Sequence, residues 1–419
     1  MSAPKVLIVG TTGDYIAALE ALLPGRLIFL TDRAERTRSA FRAPEHEVIA
    51  DLRDTGAARQ ALESGLPAHA SGLSGLTCFD CESLPLAAML AREAGLAYPS
   101  PTAVAACRDK YQAKRLWQAH GIACPAGGIA QSPDEARRLS AALGPVVLKP
   151  RTGSGGAFTT SAASPAACVA ALANLQHRLA RSEDRLFAPR VGDGDAGFDA
   201  RTSLLIEACV AGPEFSADFV VDGETVTVLR TSRKVLDKTG ADFGETLAYV
   251  TPAELDEDLI ALQLRDAARA LGLQRALCTA DFILSGTHAV LLEIAPRPGG
   301  DCLPRLTRHA LGRDILRDAV DFAEGRPLRK ASARRPLVGL MLRAATCGTI
   351  EQIDASDLHA DMRTVDCVLT RGPGDRLGEE GPADRVVGEV VFAPHTLGTI
   401  EQQCRELRRL LRLQMATAS

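Results

Sequence analysis

The fold is decided by the two stretches Thr279-Ala-Asp281-Phe-Ile-Leu284 and Val290-Leu-Leu-Glu293-Ile-Ala295-Pro-Arg297-Pro-Gly-Gly-Asp301, which follow one another closely. Two apolar runs separated by a short Ser-Gly-Thr segment predict a β-hairpin of antiparallel strands. Because side chains alternate along a strand, we expect Glu293, Ala295 and Arg297 on one face of the second strand.

The register of this hairpin determines where its two carboxylates lie. If residues 285–287 form a three-residue turn, Leu291 lies opposite Asp281, and Glu293 becomes its diagonal neighbour on the same face, with Cα atoms roughly 7–8 Å apart. A two-residue turn would place the carboxylates on opposite faces. Unpaired carboxylates in apolar strands are costly. Mg²⁺ relieves that cost by binding one or two carboxylates together with nucleotide phosphate oxygens, so we predict a magnesium site at Asp281 and Glu293.

A lysine and a glycine-rich loop come earlier in the chain. Residues 144–150 predict an apolar strand, and its Lys149 faces the loop Arg151-Thr-Gly-Ser-Gly-Gly156. Glycines let backbone N–H groups close over a phosphate, and an ammonium group beside a desolvated strand end needs an anionic partner. We therefore favour a phosphate-binding loop over a flexible turn with an exposed lysine.

Other polar residues stand at the ends of predicted elements. Glu207 lies near the end of an apolar strand, where its carboxylate and the backbone of Ala208 and Val210 could satisfy a purine amino group. Glu214 begins the next strand, from which it could accept both ribose hydroxyls. Lys110 stands at the start of a helix, where a solvated lysine is the ordinary interpretation.

The N-terminal region follows a strand–helix–strand pattern. Residues 5–10 and 26–31 predict buried strands on either side of a helix at about 15–23, which is a βαβ unit, and the pattern continues to about residue 106. The Gly10–Gly13 loop lacks a complete nucleotide-binding fingerprint. It is either a tight turn or a helix N-terminus able to hold a substrate anion.

The C-terminal region begins after a basic, proline-bounded segment. Residues 326–336 are interpreted as a linker, and the chain beyond them alternates polar and apolar residues and closes with a helix at about 397–413. The hexapeptide at 348–353 nearly recurs at 398–403, which indicates either a duplicated βα element or chance.

Length and composition bound the class of protein. The 419 residues predict two to four domains. A net charge of −4 argues against a general nucleic-acid binder, and the chain has no apolar run long enough for a membrane span. The first residues do not resemble a signal peptide, so a cytoplasmic enzyme is expected. The eleven cysteines form no dense disulfide framework, and we interpret Cys78 and Cys81 as small core residues rather than a redox pair.

Taken in order, these motifs resemble the ATP-grasp superfamily over about residues 107–325. Those motifs are Asp-Lys, Leu-Lys-Pro with the Gly-Ser-Gly-Gly loop, Glu-x-x-Val with Gly-Pro-Glu, and Asp followed by Glu-Ile-x-Pro-Arg-Pro-Gly-Gly-Asp. The resemblance implies an α/β fold in which an N-terminal Rossmann-like βαβ substrate domain (1–106) precedes a two-lobed ATP-grasp domain. Its small lid lobe lies at about 120–208. Residues 337–419 resemble the small closing domain of the L-amino acid ligase branch.

The resemblance also implies a role for each residue of the motifs. ATP would be held by Lys110, Lys149, Thr152, Gly153, Ser154, Gly155, Gly156, Glu207, Ala208, Val210 and Glu214. Mg²⁺, for which Mn²⁺ could substitute, would be held by Asp281 and Glu293. Arg297 and Lys149 would be catalytic, and the substrates would meet Glu245, Arg297, Gly299, Gly300 and Asp301.

Two positions depart from the family pattern. Ala295 stands where the family usually has an asparagine that ligates a second metal ion, so one well-held ion, or a water or substrate oxygen in place of the asparagine, is expected. Leu247-Ala248 follows Glu245 where many amino acid ligases carry Gly-His. The identity of the substrate therefore does not carry over from the family.

The resulting hypothesis is an ATP-dependent carboxylate–amine ligase that forms an amide or peptide bond through an acyl phosphate. Its substrates would be a small carboxylate and an amine, and an amino acid is expected as a substrate. No nucleic acid and no membrane are expected as partners, and homodimers are usual among such relatives. Two alternatives stay open. One is an ATP-grasp carboxylase that phosphorylates bicarbonate, of the biotin carboxylase or purine-biosynthesis type, and the other is a non-catalytic ATP-binding relative.

Overall fold

The computed structural model describes residues 5–38, 42–65, 72–182, 187, 197–237, 245–378 and 382–416. Helices and both parallel and antiparallel sheets are present, which confirms the predicted α/β class. None of the described helices is both long and apolar enough to cross a bilayer.

The N-terminal part is a parallel four-stranded sheet in the order β3-β2-β1-β4. Its strands are β1 (Lys5–Val9), β2 (Leu27–Asp32), β3 (Glu47–Ala50) and β4 (Leu73–Cys78). The helices that follow them are α1 (Gly13–Leu22), α2 (Arg33–Arg38), α3 (Thr55–Gly65), α4 (Leu84–Glu93) and α5 (Pro101–Arg108). The apolar runs of β1 and β2 are buried on both faces, as parallel strands covered by helices must be.

The Gly10–Gly13 loop is a tight turn. Gly10 has φ +65°, and a Cβ there would come within 2.1 Å of the Ser83 hydroxyl. In the first turn of α1 the amide of Gly13 donates to the Glu35 carboxylate at 3.3 Å, so this donor already has an anionic partner within the chain.

A second, four-stranded sheet forms a separate lobe, with the strand order β5-β8-β6-β7. Helix α6 (Lys110–Ala119) leads into it, and its strands are β5 (Gly127–Ala130), β6 (Val146–Pro150), β7 (Thr160–Ala162) and β8 (Leu204–Ala208). Helices α7 (Pro133–Leu143) and α8 (Pro165–Arg181) pack on one face through a core that includes Leu148, Leu172 and Ile206.

The largest sheet has eight antiparallel strands in the order β13-β12-β9-β10-β11-β14-β18-β16. Its first five strands in the chain are β9 (Glu214–Asp222), β10 (Thr225–Asp237), β11 (Glu245–Thr251), β12 (Arg275–Ser285) and β13 (His288–Ala295). The last three are β14 (Leu337–Arg343), β16 (Thr364–Leu369) and β18 (Val386–Phe392). Helices α9 (Glu257–Ala270), α10 (Leu303–Leu311) and α11 (Ile315–Ala323) accompany it.

Three of these strands come from the C-terminal region, so this region extends the central sheet. Residues 326–336 contain no helix or strand, as a linker would. Beyond them, a small sheet is formed by β15 (Gly348–Asp354), β17 (Arg376–Leu377) and β19 (Arg412–Met415), with helices α12 (Ser356–Ala360) and α13 (Ile400–Leu410) beside it. The closing helix is thus shorter than the predicted 397–413.

The near-repeated hexapeptide does not form a duplicated element. Its first copy, 348–353, lies within strand β15, whereas its second copy, 398–403, contains the N-cap and the first turn of helix α13. In the second copy Thr399 and Gln402 form a capping box, which fixes a helix start. The five residues that the two copies share, Gly-Thr-Ile-Glu-Gln, therefore adopt different structures in different surroundings.

Candidate active site

The β12–β13 hairpin has a different register from the predicted one. Ser285 pairs with His288, so the turn has two residues, and the three-residue turn was wrong. A β-bulge then shifts the register, because Phe282 pairs with Leu291 but Asp281 pairs with Glu293. The two carboxylates are therefore direct cross-strand partners on one face, with Cα atoms about 4.5–5.5 Å apart rather than diagonal neighbours.

A buried lysine donates a hydrogen bond to Leu292, the residue that the bulge leaves without a partner on strand β12. Leu292 has no register partner, and its carbonyl accepts a hydrogen bond from Lys114 Nζ at 2.7 Å. The same ammonium group lies 2.8 Å from the Glu207 carboxylate. Burial, followed by the nearby charge of Lys149, lowers the pKa of Lys114 to about 8. Lys114 thus ties helix α6 to the hairpin that carries both carboxylates.

Lysines neutralise both carboxylates of the pair. Lys234 Nζ lies 2.6 Å from Asp281 and 2.5 Å from Glu214, and Lys110 Nζ lies 3.1 Å from Glu293. Burial raises the pKa of Asp281, and Glu293 adds to the rise while Lys234 opposes it. For Glu293, burial is outweighed by the three lysines Lys110, Lys234 and Lys149, which bring its pKa to about 2.

The donor set of this pair suits a hard divalent cation. Two opposed carboxylates offer the oxygen ligands that Mg²⁺ takes, with phosphate oxygens and water completing its shell. The described residues contain no group of three or more His, Cys, Asp or Glu side chains that could hold a metal without such help. Ala295, across from Thr279 in the hairpin, contributes only a methyl group. The residues therefore fit a cation shared with a nucleotide.

The glycine-rich loop connects β6 to β7. Lys110 links it to the carboxylate pair, because its ammonium group contacts both Gly153 and Glu293. Gly153, Gly155 and Gly156 all have positive φ, which side-chain-bearing residues rarely adopt. The Gly153 carbonyl accepts a hydrogen bond from Lys110 Nζ at 2.7 Å. Asp109 caps helix α6 and pairs with Arg151 at the start of the loop. The start of α6 and the loop are thus a single connected unit.

Lys149 pairs with a carboxylate of strand β8 in this structure and lines the same cleft as the loop. Its ammonium group lies 2.7 Å from the Glu207 carboxylate, which is 3% exposed. Burial would raise the pKa of Glu207, but Lys149 and Lys114 lower it overall. The backbone N–H of Ala208 donates to the Ala126 carbonyl, so this amide has a partner within the protein.

Arg297 contacts a thiol and a carbonyl. Its Nε lies 3.0 Å from Cys81 Sγ and its Nη1 donates to the Pro298 carbonyl at 2.7 Å. The pKa of Arg297 is raised, because the effect of burial is outweighed by Cys81, Tyr15 and Glu293. Cys78 is buried as expected, whereas Cys81 is half-buried, packs against the edge of a hydrophobic core and adjoins this arginine.

The residues after Arg297 are fixed by buried groups of the central sheet. Gly299 donates its amide to the Asp218 carboxylate at 2.9 Å, and Asp301 accepts from the Tyr249 hydroxyl at 3.2 Å. Glu245, at the start of β11, lies 3.9 Å from Arg343 and 3.6 Å from Arg385. Leu247 and Ala248 are buried in the core beside it.

Every residue singled out from the sequence as a site residue lines one continuous cleft. The members are Lys110, Lys149, Thr152, Gly153, Ser154, Gly155, Gly156, Glu207, Ala208, Val210, Glu214, Glu245, Asp281, Glu293, Arg297, Gly299, Gly300 and Asp301. Sequence reasoning missed Lys234, Tyr249 and Arg343, which line the same cleft. Each is a single residue in an ordinary strand pattern, so no local motif marks it.

Comparisons with known proteins agree with this geometry. Residues 107–301 match the family model described as the ATP-grasp domain. The match to the carbamoyl phosphate synthase large chain of Thermus thermophilus is 25% identical over 238 residues, which is 56% of this chain and 21% of that protein. The aligned region thus spans about a fifth of the length of that curated relative.

Solved structures resemble the whole chain. An L-amino acid ligase from Bacillus licheniformis has a TM-score of 0.77 at 18% identity, and the alignment covers 100% of both chains. The biotin carboxylase domain of the 2-oxoglutarate carboxylase from Hydrogenobacter thermophilus, solved with MgADP and bicarbonate, has a TM-score of 0.68 at 16% identity. The alignment covers 99% of this chain and 91% of the biotin carboxylase chain. At such identities these likenesses establish the fold.

The family model covers the part of the chain that carries the glycine-rich loop, the carboxylate pair and Arg297. Residues 107–301 belong to the ATP-grasp superfamily. Enzymes of this superfamily use ATP and Mg²⁺, in agreement with the carboxylate pair and the glycine-rich loop.

Proposed function

We propose that this protein is an ATP-dependent ligase that joins a carboxylate to an amine, with ADP and phosphate as the other products. The observation that carries the proposal is the direct opposition of Asp281 and Glu293 beside Lys110, in the same cleft as Arg297. A pair of carboxylates that can bind a hard cation, next to a lysine that contacts the glycine-rich loop, suits MgATP. An arginine with no carboxylate within 4 Å among the described residues suits a second anion.

ATP is proposed to lie between the two lobes. Its phosphates would meet Lys110, Lys149 and the loop from Thr152 to Gly156, whose glycines already have the backbone angles needed to turn amides inward. The adenine would lie near Glu207, Ala208 and Val210, and the ribose near Glu214. Because Lys149 and Lys234 now pair with Glu207 and Glu214, nucleotide binding is expected to rearrange these contacts.

The proposed chemistry proceeds in two balanced steps. An oxygen of the carboxylate attacks the γ-phosphorus, the bond to the bridging oxygen of ADP breaks, and an acyl phosphate forms. The amine then attacks the acyl carbon, loses a proton and expels phosphate. When bound, Mg²⁺ would neutralise charge on the phosphates. Arg297 would stabilise negative charge on the transferred phosphoryl group, and the glycine-rich loop would exclude water from the acyl phosphate.

The experiment that tests this proposal is a paired screen of carboxylates and amines, with release of ADP and phosphate and the mass of the product as readouts. ADP release that requires both substrates, and a product whose mass is that of the two minus water, would support the ligase. Asp281→Asn serves as the inactive control. ADP release with bicarbonate and no amine would instead favour a carboxylase, and MgATP binding without any ADP would favour a non-catalytic relative.

The assembly and the location of the protein are also proposals. A homodimer is implied by the family resemblance and would be checked by light scattering of the purified chain. A cytoplasmic location would be checked by fractionation of the source cells.

A further inference from the structure

Strands β9 and β10 carry a row of polar side chains on one face, because side chains alternate along a strand. The residues between the polar ones on β9, such as Phe215 and Phe219, belong to the hydrophobic core. The polar side chains form three cross-strand pairs, which are Glu214 with Lys234, Ser216 with Ser232, and Asp218 with Arg230. Asp218 and Arg230 are both 0% exposed, so the last pair is an ion pair sealed beneath the surface of the cleft.

The hydrogen bonds of this buried pair fix its geometry. Arg230 Nε donates to one oxygen of Asp218 at 2.8 Å, and its Nη2 donates to the Ser216 hydroxyl at 3.2 Å. Its Nη1 donates to the Ser232 hydroxyl at 2.7 Å and to the Ser216 carbonyl at 3.2 Å. Removing two charges from water has a large free-energy cost, and apolar side chains of similar volume often stabilise a core equally well or better. Stability alone therefore gives no reason for two buried charges at this place.

The pair lies directly beneath the turn that follows Arg297. The second oxygen of Asp218 accepts a hydrogen bond from the amide of Gly299 at 2.9 Å. A Cβ on Gly299 would lie 3.1 Å from that oxygen, 3.2 Å from Arg230 Nη2 and 2.8 Å from Leu303. The turn thus packs against the ion pair with no room for a side chain, and a displacement of the pair would displace the turn.

The same turn holds the guanidinium of Arg297. Arg297 Nη1 donates to the carbonyl of Pro298 at 2.7 Å, and Asp218 accepts from the amide of Gly299. That carbonyl and that amide belong to one peptide group. Because a peptide group is planar and rigid, holding its N–H fixes the direction of its C=O. The contact of Asp218 is therefore passed to Arg297 through a single rigid unit.

We infer that Asp218 and Arg230 are positioning residues that orient Arg297 for phosphoryl transfer through the peptide group between Pro298 and Gly299. This inference rests on the proposed function, since it is the role of Arg297 in that reaction that requires a fixed direction. A displacement of a charged group by about 1 Å can lower a rate about 10²-fold. The buried pair acts on the reaction only through Arg297.

Two double variants separate the hydrogen bond to Gly299 from the charges of the pair. Arg230→Met combined with Asp218→Asn removes both charges but keeps an oxygen for the Gly299 amide. Arg230→Met combined with Asp218→Leu removes the charges and the oxygen. The matched control is Arg313→Met combined with Asp318→Leu, which removes another buried ion pair, 2.6 Å apart and away from the cleft lining.

The first measurement is steady-state turnover of an acid–amine pair from the screen. The leucine variant should have a kcat about 10²-fold below that of the asparagine variant, while the KM for MgATP stays within about threefold in both. The control should keep the kcat and the KM of the unaltered protein. A merely structural role would change the urea midpoints of both variants without separating their kcat values. Equal kcat in the leucine and asparagine variants would overturn the inference.

The second measurement is hydrogen exchange of residues 297–303, followed by mass spectrometry, which needs no turnover. Exchange should be faster in the leucine variant than in the asparagine variant, because the Gly299 amide has lost its acceptor. If exchange differs in this way but no acid–amine pair releases ADP, the anchoring of the turn stands and the ligase proposal fails. If acid–amine pairs release ADP but kcat and exchange are the same in both variants, the ligase stands and this inference fails.

Discussion

Arg297 is held in place from two sides at the end of strand β13. Its Nε meets Cys81 of the N-terminal region, and its Nη1 meets the neighbouring carbonyl of Pro298. Neither partner carries a carboxylate, so the guanidinium keeps its full charge for an anion in the cleft. A positioned charge of this kind acts mainly on the transition state.

Arg297→Met is therefore expected to lower kcat about 10²–10³-fold while MgATP binds within about threefold of normal. Phosphate release measures kcat, and calorimetric titration with a non-hydrolysable ATP analogue and Mg²⁺ measures nucleotide binding. Arg376→Met, an exposed arginine of the C-terminal region, is the control and should leave both quantities unchanged. Full turnover in Arg297→Met would remove this residue from the mechanism.

Glu389 is a half-buried carboxyl group on β18 with unusual surroundings. Arg305 Nε lies 2.5 Å away, while Asp14, Asp301 and Asp366 surround the same carboxyl. Burial raises its pKa to about 7 against the attraction of Arg305, and the three aspartates add to the rise. In the folded protein Glu389 thus keeps its proton up to near neutral pH.

The free energy of unfolding should depend on pH because of this protonation. Because the folded pKa lies above the unfolded value of 4.5, the favourable contribution is complete below pH 4.5 and is lost as the pH rises through 7. Glu389→Gln lacks this titration. The free energy of unfolding of the variant, relative to the unaltered protein, should therefore increase between pH 4.5 and 8 by up to about 3 kcal/mol.

Urea denaturation at several pH values measures this difference. Loss of the contact to Arg305 changes the difference in the free energy of unfolding by a nearly constant amount. The decisive quantity is therefore the slope of that difference against pH. Parallel stability curves for the two proteins would show that Glu389 ionises normally.

At the scale of the element, the bulge in the β12–β13 hairpin determines the site. With a two-residue turn and no bulge, Asp281 and Glu293 would lie on opposite faces of the strand pair. The bulge at Leu292 moves Glu293 and the residues after it to the opposite face of the strand pair, and Lys114 donates to the carbonyl of Leu292. A lysine on helix α6 thus supports the strand geometry on which the carboxylate pair depends.

Lys114→Met should therefore weaken both the fold and nucleotide binding. It leaves the Leu292 carbonyl without its donor and removes one of two lysines from Glu207, which we expect to cost about 3 kcal/mol in the free energy of unfolding. The KM for MgATP should rise at least tenfold. The exposed Lys330→Met is the matched control, and an unchanged KM in Lys114→Met would contradict a role for this lysine in shaping the pair.

The glycine-rich loop makes a second prediction at this scale. Gly153 has φ +118°, and a Cβ there would lie 2.9 Å from the ring of Phe187. Gly153→Ala should therefore distort the loop at a cost of about 1–3 kcal/mol and weaken binding of the ATP analogue about tenfold. Gly372→Ala is the control, because a Cβ at that position meets nothing within 4 Å. Equal affinity in both variants would contradict a nucleotide role for the loop.

The sequence predicted those parts of the fold and site that depend on local pattern. The βαβ region, the Glu207 strand, the glycine-rich loop and the β12–β13 hairpin all follow from periodicity and turn residues. The bulge was not predictable, because the lysine that supports it is 178 residues away. Lys234 and Arg343 were missed for the same reason, since their partners lie on strands brought together only by the folded sheet.

At the scale of the whole molecule, three parts of the chain build one cleft. The N-terminal region contributes Cys81 behind Arg297, the ATP-grasp region contributes the carboxylate pair, and the C-terminal strands contribute Arg343. The eight-stranded sheet joins the last two, because β11 pairs directly with β14. A substrate in this cleft would therefore touch the nucleotide site and the C-terminal region together.

The central claim is that a carboxylate takes the γ-phosphoryl group before an amine displaces phosphate. It is tested most directly with an acid from the screen whose carboxylate oxygens are ¹⁸O, followed by mass spectrometry of the phosphate released during amide formation. Because the attacking oxygen stays on phosphorus when the amine breaks the acyl bond, the account predicts one ¹⁸O in each phosphate. Unlabelled phosphate, or AMP and pyrophosphate in place of ADP, would contradict it.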